Sequence, residues 1–238
     1  MNKMNVTIKK SARITNETEW FLVAPPKKGI KQWKDGYSAK ELAKYATSDG
    51  NLQKLLQSIL EEIAFKTKGS FLGIPEAVTK LPKKGEGRNH DLLLFNKDII
   101  IGIEAKVNEE FGKKISEENE KASGNKQGRI EELKKIVFQK SSVQNVDELR
   151  YQLLTATGGT LLEAFNRNKS YCVFLVLSFH KFNEEANSDN KAAFKTFVDI
   201  VCGENKKSQI FTVKGKEITC WFIEREITFT PESFEMRP

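Results

Sequence analysis

Apolar residues recur along this chain with two different periods. Leu52, Leu55, Leu56, Ile59, Leu60 and Ile63 return every three or four positions, which predicts one face of a helix capped by Asp49 or Asn51. At 100° per residue, Glu62 falls beside Leu55 at the edge of that apolar arc, whereas Glu61 points away. Residues 74 to 81 alternate like a strand, with Pro75 near the start, where a missing N–H is tolerated. Leu92 to Phe95 and Ile99 to Ile103 read as an apolar hairpin turning at Lys97-Asp98, and residues 171 to 179 as a central strand apolar on both faces. Ser38-Ala39-Lys40-Glu41 has the form of a capping box opening a helix to about Ala46. Amphipathic helices are expected at 130 to 138, at 147 to 165 despite Gly158-Gly159, and at 190 to 202, with a final strand at 218 to 227. Helix, three strands, helices, strand, helix, strand is the order of an α/β chain, a mixed central sheet flanked by helices.

Charge breaks the hairpin's apolar pattern at one end. Cross-strand partners about a turn at Lys97-Asp98 pair Phe95 with Ile100 and Leu93 with Gly102, and continue to Asp91 opposite Glu104. Lys106 shares that face by strand periodicity. A charge buried in a sheet is costly unless it is paired or bound to a metal. Opposed carboxylates repel, and a divalent cation removes the repulsion. Asp91, Glu104 and the Ala105 carbonyl offer the hard oxygen ligands that Mg²⁺ prefers, with Mn²⁺ as a substitute. Lys106 balances the acids and can hold or activate an attacking water. Gly102, on the same face, leaves room for a ligand or a crossing helix. The opposite face, Leu92, Leu94, Ile99, Ile101, Ile103 and Ala105, is wholly apolar and predicts core. The bland alternative is a surface ladder of ion pairs; confinement of the charges to one end of one face argues against it.

Composition narrows the partners. The 238 residues carry a formal net charge of +7 with pI about 9.1, and the first 60 hold eleven Lys/Arg against five Asp/Glu. A basic field favours a nucleic-acid partner over a membrane, since no basic anchor helix or apolar span is evident. Lys83, Lys84 and Arg88, interleaved with Gly85 and Gly87, are candidate phosphate-backbone contacts on a loop. Cys172, Cys202 and Cys220 lack disulfide or zinc spacing, and His90 and His180 are the only histidines, which speaks against zinc chemistry. A reducing, cytoplasmic location is expected. Residues 1 to 48, with little periodicity, read as a basic arm or subdomain packed on a core domain of residues 49 to 238.

The acid near the start of one strand and Glu104-Ala105-Lys106 at the end of the next resemble the PD-(D/E)xK, or restriction-endonuclease-like, nuclease superfamily. His90 stands where many members carry proline. Gln32 to Leu42, Glu104 to Gly112 and Leu149 to Ala164 also look like an uncharacterised bacterial family within it. The resemblance implies a restriction-endonuclease-like mixed sheet, with Asp91 and Glu104 as Mg²⁺ ligands and Lys106 as the catalytic lysine. It further implies a glutamate from the preceding helix, matched by Glu62, and a polar residue on the following helix, for which Arg150 and Gln152 are candidates. The implied reaction is hydrolysis of a phosphodiester, in DNA before RNA, in a restriction or defence role, with homodimers among members that cut both strands. Two readings of other classes remain: a non-catalytic nucleic-acid-binding module, and a protein-interaction module that keeps the nuclease fold.

Overall fold

The computed structural model describes residues 4–139, 145–182, 184, 187–229 and 234–237. Its first elements are strands β1 (Val6–Lys9) and β2 (Arg13–Ile14) and helices α1 (Glu17–Val23), α2 (Ser38–Thr47) and α3 (Asn51–Glu62). Strands β3 (Phe71–Thr79), β4 (Arg88–Phe95) and β5 (Ile99–Lys106) follow, then helices α4 (Ile115–Glu120), α5 (Gly124–Val137) and α6 (Tyr151–Asn166). The chain closes with β6 (Tyr171–Lys181), α7 (Ser188–Cys202), β7 (Ser208–Val213), β8 (Lys216–Phe229) and β9 (Phe234–Arg237).

The nine strands among the described residues join one mixed sheet in the order β2-β1-β3-β4-β5-β6-β8-β7, with β9 also on β8. β4 runs antiparallel to both neighbours, while β5, β6 and β8 are mutually parallel. Each face of the sheet buries its own core. Leu92, Leu94, Ile99, Ile101, Ile103 and Ala105, the face read as apolar, pack against residues of α1, α2 and α3. Leu93, Ile100, Phe174 and Phe222 face α5, α6 and α7. α6 is buried over nearly its whole length because it is sandwiched between the sheet and α5. Among the described residues no helix is long and apolar enough to cross a membrane.

Several boundaries differ from expectation for local physical reasons. α2 is capped by Tyr37 without a side-chain bond, and Glu41, instead of reaching back to Ser38, accepts the Gly36 N–H at 2.8 Å. α3 starts after Gly50, at φ +78°, so neither Asp49 nor Asn51 is its cap. Residues 6–48, aperiodic in sequence, contribute β1 and β2 to the sheet edge, and their Ile8, Trp20, Leu42 and Tyr45 enter the same core as α3.

The central departure lies in β3 and β4. Residues an even number apart on a regular strand share a face. Yet Gly73 packs on the Leu92 and Leu94 side while Ala77 belongs to the opposite core. His90 likewise lies over Gly102 and Gly159, beneath α6, although Leu92 points the other way. Both strands switch faces at one place: the ladder pairs Pro75 with Leu92 and Ala77 with His90 but skips Glu76 and Asp91, and Glu76 sits at φ +46°. A left-handed non-glycine residue carries a steric cost that its surroundings must hold in place. This break sets the geometry of the charged end of the hairpin.

Candidate active site

The hairpin has the expected register, Phe95 with Ile100 through Leu92 with Ile103, and stops there. The expectation that Asp91 stands opposite Glu104 as the next ladder pair is therefore corrected. At the break in β4 the Asp91 carboxylate turns and accepts the backbone N–H of Ala105 at 2.7 Å through Oδ2, replacing the missing ladder bond. Burial pushes the Asp91 carboxyl up, against the opposing pull of Arg88, the Ala105 N–H and Lys106.

Glu104 and Lys106 share the α6 face of β5, at 2% and 5% exposure, so every polar atom there needs a partner. Lys106 Nζ stands 3.2 Å from Glu104 Oε1 and donates to Gln152 Oε1 at 3.0 Å. The same Gln152 amide donates to Glu104 through Nε2, bridging acid and lysine. Lys106 also lies 5.4 Å from the centroid of the Phe111 ring. Burial lowers the Lys106 ammonium's pKa, which favours a lysine able to give up or share a proton.

Arg88 supplies the second cation. It begins β4 instead of lying in a loop, and its guanidinium pairs with Glu104 Oε2. Its path is opened by Gly159 of α6, where a Cβ would stand 3.0 Å from Arg88 Cγ. Gly102 admits α6 in the same way: a Cβ there would run into Thr160 Oγ1. The space predicted over Gly102 is thus taken by a crossing helix.

Behind Arg88 lies a buried polar chain. Thr79 donates its hydroxyl proton to Glu163 Oε2 at 3.0 Å, so the 2.9 Å contact with His90 Nε2 is a bond donated by the imidazole. Arg167 closes the chain on Glu163 Oε1 at 2.6 Å. Burial, assisted by the Arg88 charge, depresses the His90 pKa to about 3 and keeps it neutral.

A family model described as a domain of unknown function, DUF6946, matches residues 13–226, from β2 through most of β8, and so takes in the whole cluster. The chain belongs to the DUF6946 family. No curated protein and no solved structure matches it.

The remaining candidates in this DUF6946 chain fall outside the cluster. Glu62 ends α3 on the opposite face of the sheet, bound to Lys207 at 3.1 Å and to Arg225. Arg225 belongs to the same face as Ile223 and Ile227, which lie in the α1–α3 core, so the sheet separates Glu62 from Glu104. The expectation that Glu62 joins the site is therefore corrected. The helical wheel placed it beside the apolar arc correctly, but that arc covers the face without the acids. Burial raises the Glu62 carboxyl, and Arg225 and Lys207 outweigh it, leaving the pKa lowered.

Arg150 is committed elsewhere, donating to the Gly112 carbonyl at 2.8 Å and pairing with Glu110 at 3.1 Å, which ties the segment after β5 to the start of α6. Of the two polar candidates on that helix, the structure brings in Gln152. Lys83 and Lys84 are exposed on a loop pinned by Arg129, which donates to the carbonyls of Pro82 at 3.4 Å and Lys84 at 2.7 Å.

Sequence reasoning missed Glu76 and Phe111. Glu76 occupies the position across from Asp91 in the skipped pair, and burial, with the Asp91 charge second, raises its carboxyl to about 7. The available signal was an acid directly after a proline inside an alternating strand. Among the described residues no group of three or more His, Cys, Asp or Glu side chains is gathered to hold a metal ion.

Proposed function

We propose that this protein is a divalent-metal-dependent nuclease hydrolysing phosphodiester bonds in DNA. The observation that carries the reading is the convergence of Glu104 and Lys106 from the end of β5 with Gln152 from α6, beside Asp91 bound to the Ala105 N–H. Support also comes from the sheet: α3, then β3 to β5 with β4 antiparallel, then helices α4 to α6 and a parallel β6 are compatible with the mixed sheet that the PD-(D/E)xK resemblance implies.

The donors fit Mg²⁺ in kind. Asp91 and Glu104 present carboxylate oxygens, the Ala105 carbonyl directly follows Glu104 in the chain, and Asp91 Oδ1 receives no hydrogen bond among the described residues. A divalent cation there supplies charge stabilisation for the phosphoryl group and acidifies a water. The chain's own residues do the rest. Gln152 and Phe111 fix the Lys106 ammonium, so its Nζ can hold or move a proton at the attacking water. The buried surround, closed by α6, keeps these groups in low dielectric, where oriented charge acts most strongly. The basic surplus, with Lys83 and Lys84 on the adjoining loop, suits a polyanionic substrate.

The test is incubation of purified protein with duplex DNA, single-stranded DNA and RNA in Mg²⁺ or Mn²⁺. Cleavage of DNA is expected, with Lys106→Ala slower by about 10²-fold or more. No cleavage of any DNA, together with no metal binding by titration, overturns the reading.

A further inference from the structure

Around Glu104 the cluster gathers two cations of its own, Arg88 and Lys106, and Asp91 and Glu76 lie beside them. Both Glu104 oxygens are taken, Oε2 by Arg88 and Oε1 by Lys106 and Gln152, so a dication bound by this carboxylate must displace one of them and would meet two like charges at close range in low dielectric. The resident cation held least firmly is the one to give way.

The two differ in how firmly they are held. Lys106 is 5% exposed and fixed from three directions, by Glu104, by Gln152 Oε1 and by the Phe111 ring. It lies between β4 and β6 at the end of a central strand. Arg88 is the first residue of its strand, directly after the loop that carries Gly85 and Gly87. Its one ion-pair partner among the described residues is Glu104, with the Asp91 and Glu76 charges acting on it from further off, and its Nε is buried with no hydrogen-bond partner among them. A buried donor left unmade destabilises its own location, so release of Arg88 gives up one ion pair and returns Nε to water.

We propose that Arg88 is an exchangeable counter-ion: its guanidinium holds Glu104 in the metal-free protein and yields its place at that carboxylate to a divalent cation. The proposal rests on the metal-dependent reading above. It assigns Arg88 a positioning role in the free protein, keeping the Glu104 carboxylate aimed before metal arrives. It also explains why both Glu104 oxygens are already bonded in a site whose donors suit Mg²⁺.

Mn²⁺ titration by calorimetry, with thermal melts in EDTA and in Mn²⁺, tests it on wild type, Arg88→Met and Glu104→Gln. Mn²⁺ is expected to bind Arg88→Met at least tenfold more tightly than wild type. That variant should melt lower than wild type in EDTA and gain more from Mn²⁺. Glu104→Gln should bind Mn²⁺ weakly or not at all. Equal or weaker binding by Arg88→Met, with wild type still binding through Glu104, overturns the exchange and leaves the nuclease reading standing. Absence of binding in both wild type and Arg88→Met overturns both. If Arg88→Met does not fold, Arg88→Gln, which keeps an N–H donor for Glu104 without the charge, carries the same expectation and the same overturning result.

Discussion

Individual side chains here were legible in kind but not always in place. The three charges of the hairpin gather at one end of an apolar scaffold, and Glu104 and Lys106 share a face as the strand period predicts. Asp91 departs because Glu76 and Asp91 are skipped in the ladder, a backbone event that no side-chain pattern announces. Glu62 departs because a helical wheel gives direction within a helix and says nothing about which face of a sheet the helix covers. Its position makes a sharp prediction: Glu62→Gln lowers thermal stability by leaving the buried Arg225 with a weakened partner, and leaves Mn²⁺ affinity unchanged. Parallel calorimetry and melting of that one variant separate the two effects; a lost metal site would contradict the placement. His90 gives a second prediction. With a folded pKa of about 3 against an unfolded value near 6.5, it contributes stability that is present above the unfolded value and is lost as pH falls through that interval toward 3. In EDTA, the melting temperature should fall on acidification below about pH 6.5, and His90→Asn should flatten that slope.

Elements were read well where one period dominated and poorly where two competed. α3, the hairpin, β6, α7 and β8 lie within a few residues of expectation, because each carries a long apolar repeat that packing reinforces. α6 was recognised despite Gly158-Gly159, and the structure explains both glycines. A Cβ at Gly158 would reach Leu133 Cδ2 at 2.5 Å, and Gly159 opens the path of Arg88. These are contacts between distant elements, so the sequence displayed the glycines and withheld the reason. Gly102 works the same way from the sheet side. Gly102→Ala should push Thr160 and the middle of α6 off β5, costing about 1–3 kcal/mol, as overpacking commonly does. Chemical denaturation measures the loss. Because α6 carries Gln152, the same variant should bind Mn²⁺ more weakly than its stability loss alone would give.

At the scale of the whole molecule, residues 4–48 are built into the fold rather than hung on it, with β1 and β2 in the sheet. Ile8, Trp20, Leu42 and Tyr45 are buried at 5% exposure or less, in the core that α3 and the apolar hairpin face also share. A variant lacking residues 1–48 should therefore lose cooperative unfolding, since removing them bares the part of that face of β4 and β5 that α1 and α2 cover beside α3. Circular dichroism with a thermal scan decides it, and a sharp, reversible transition in the truncated chain would show that residues 49–238 fold alone. The sequence by itself determined the α/β class, the register of the hairpin, its apolar face and the presence of acids and a lysine at one end. Those properties follow from local periods and from the cost of burying charge, which act over a few residues. The tertiary structure alone decided the break at Glu76 and Asp91, the entry of Arg88 and Gln152, and the exile of Glu62 to the far face. Each depends on which surfaces meet across long stretches of chain. That choice is made by the packing of two cores on one sheet, and no local pattern encodes it.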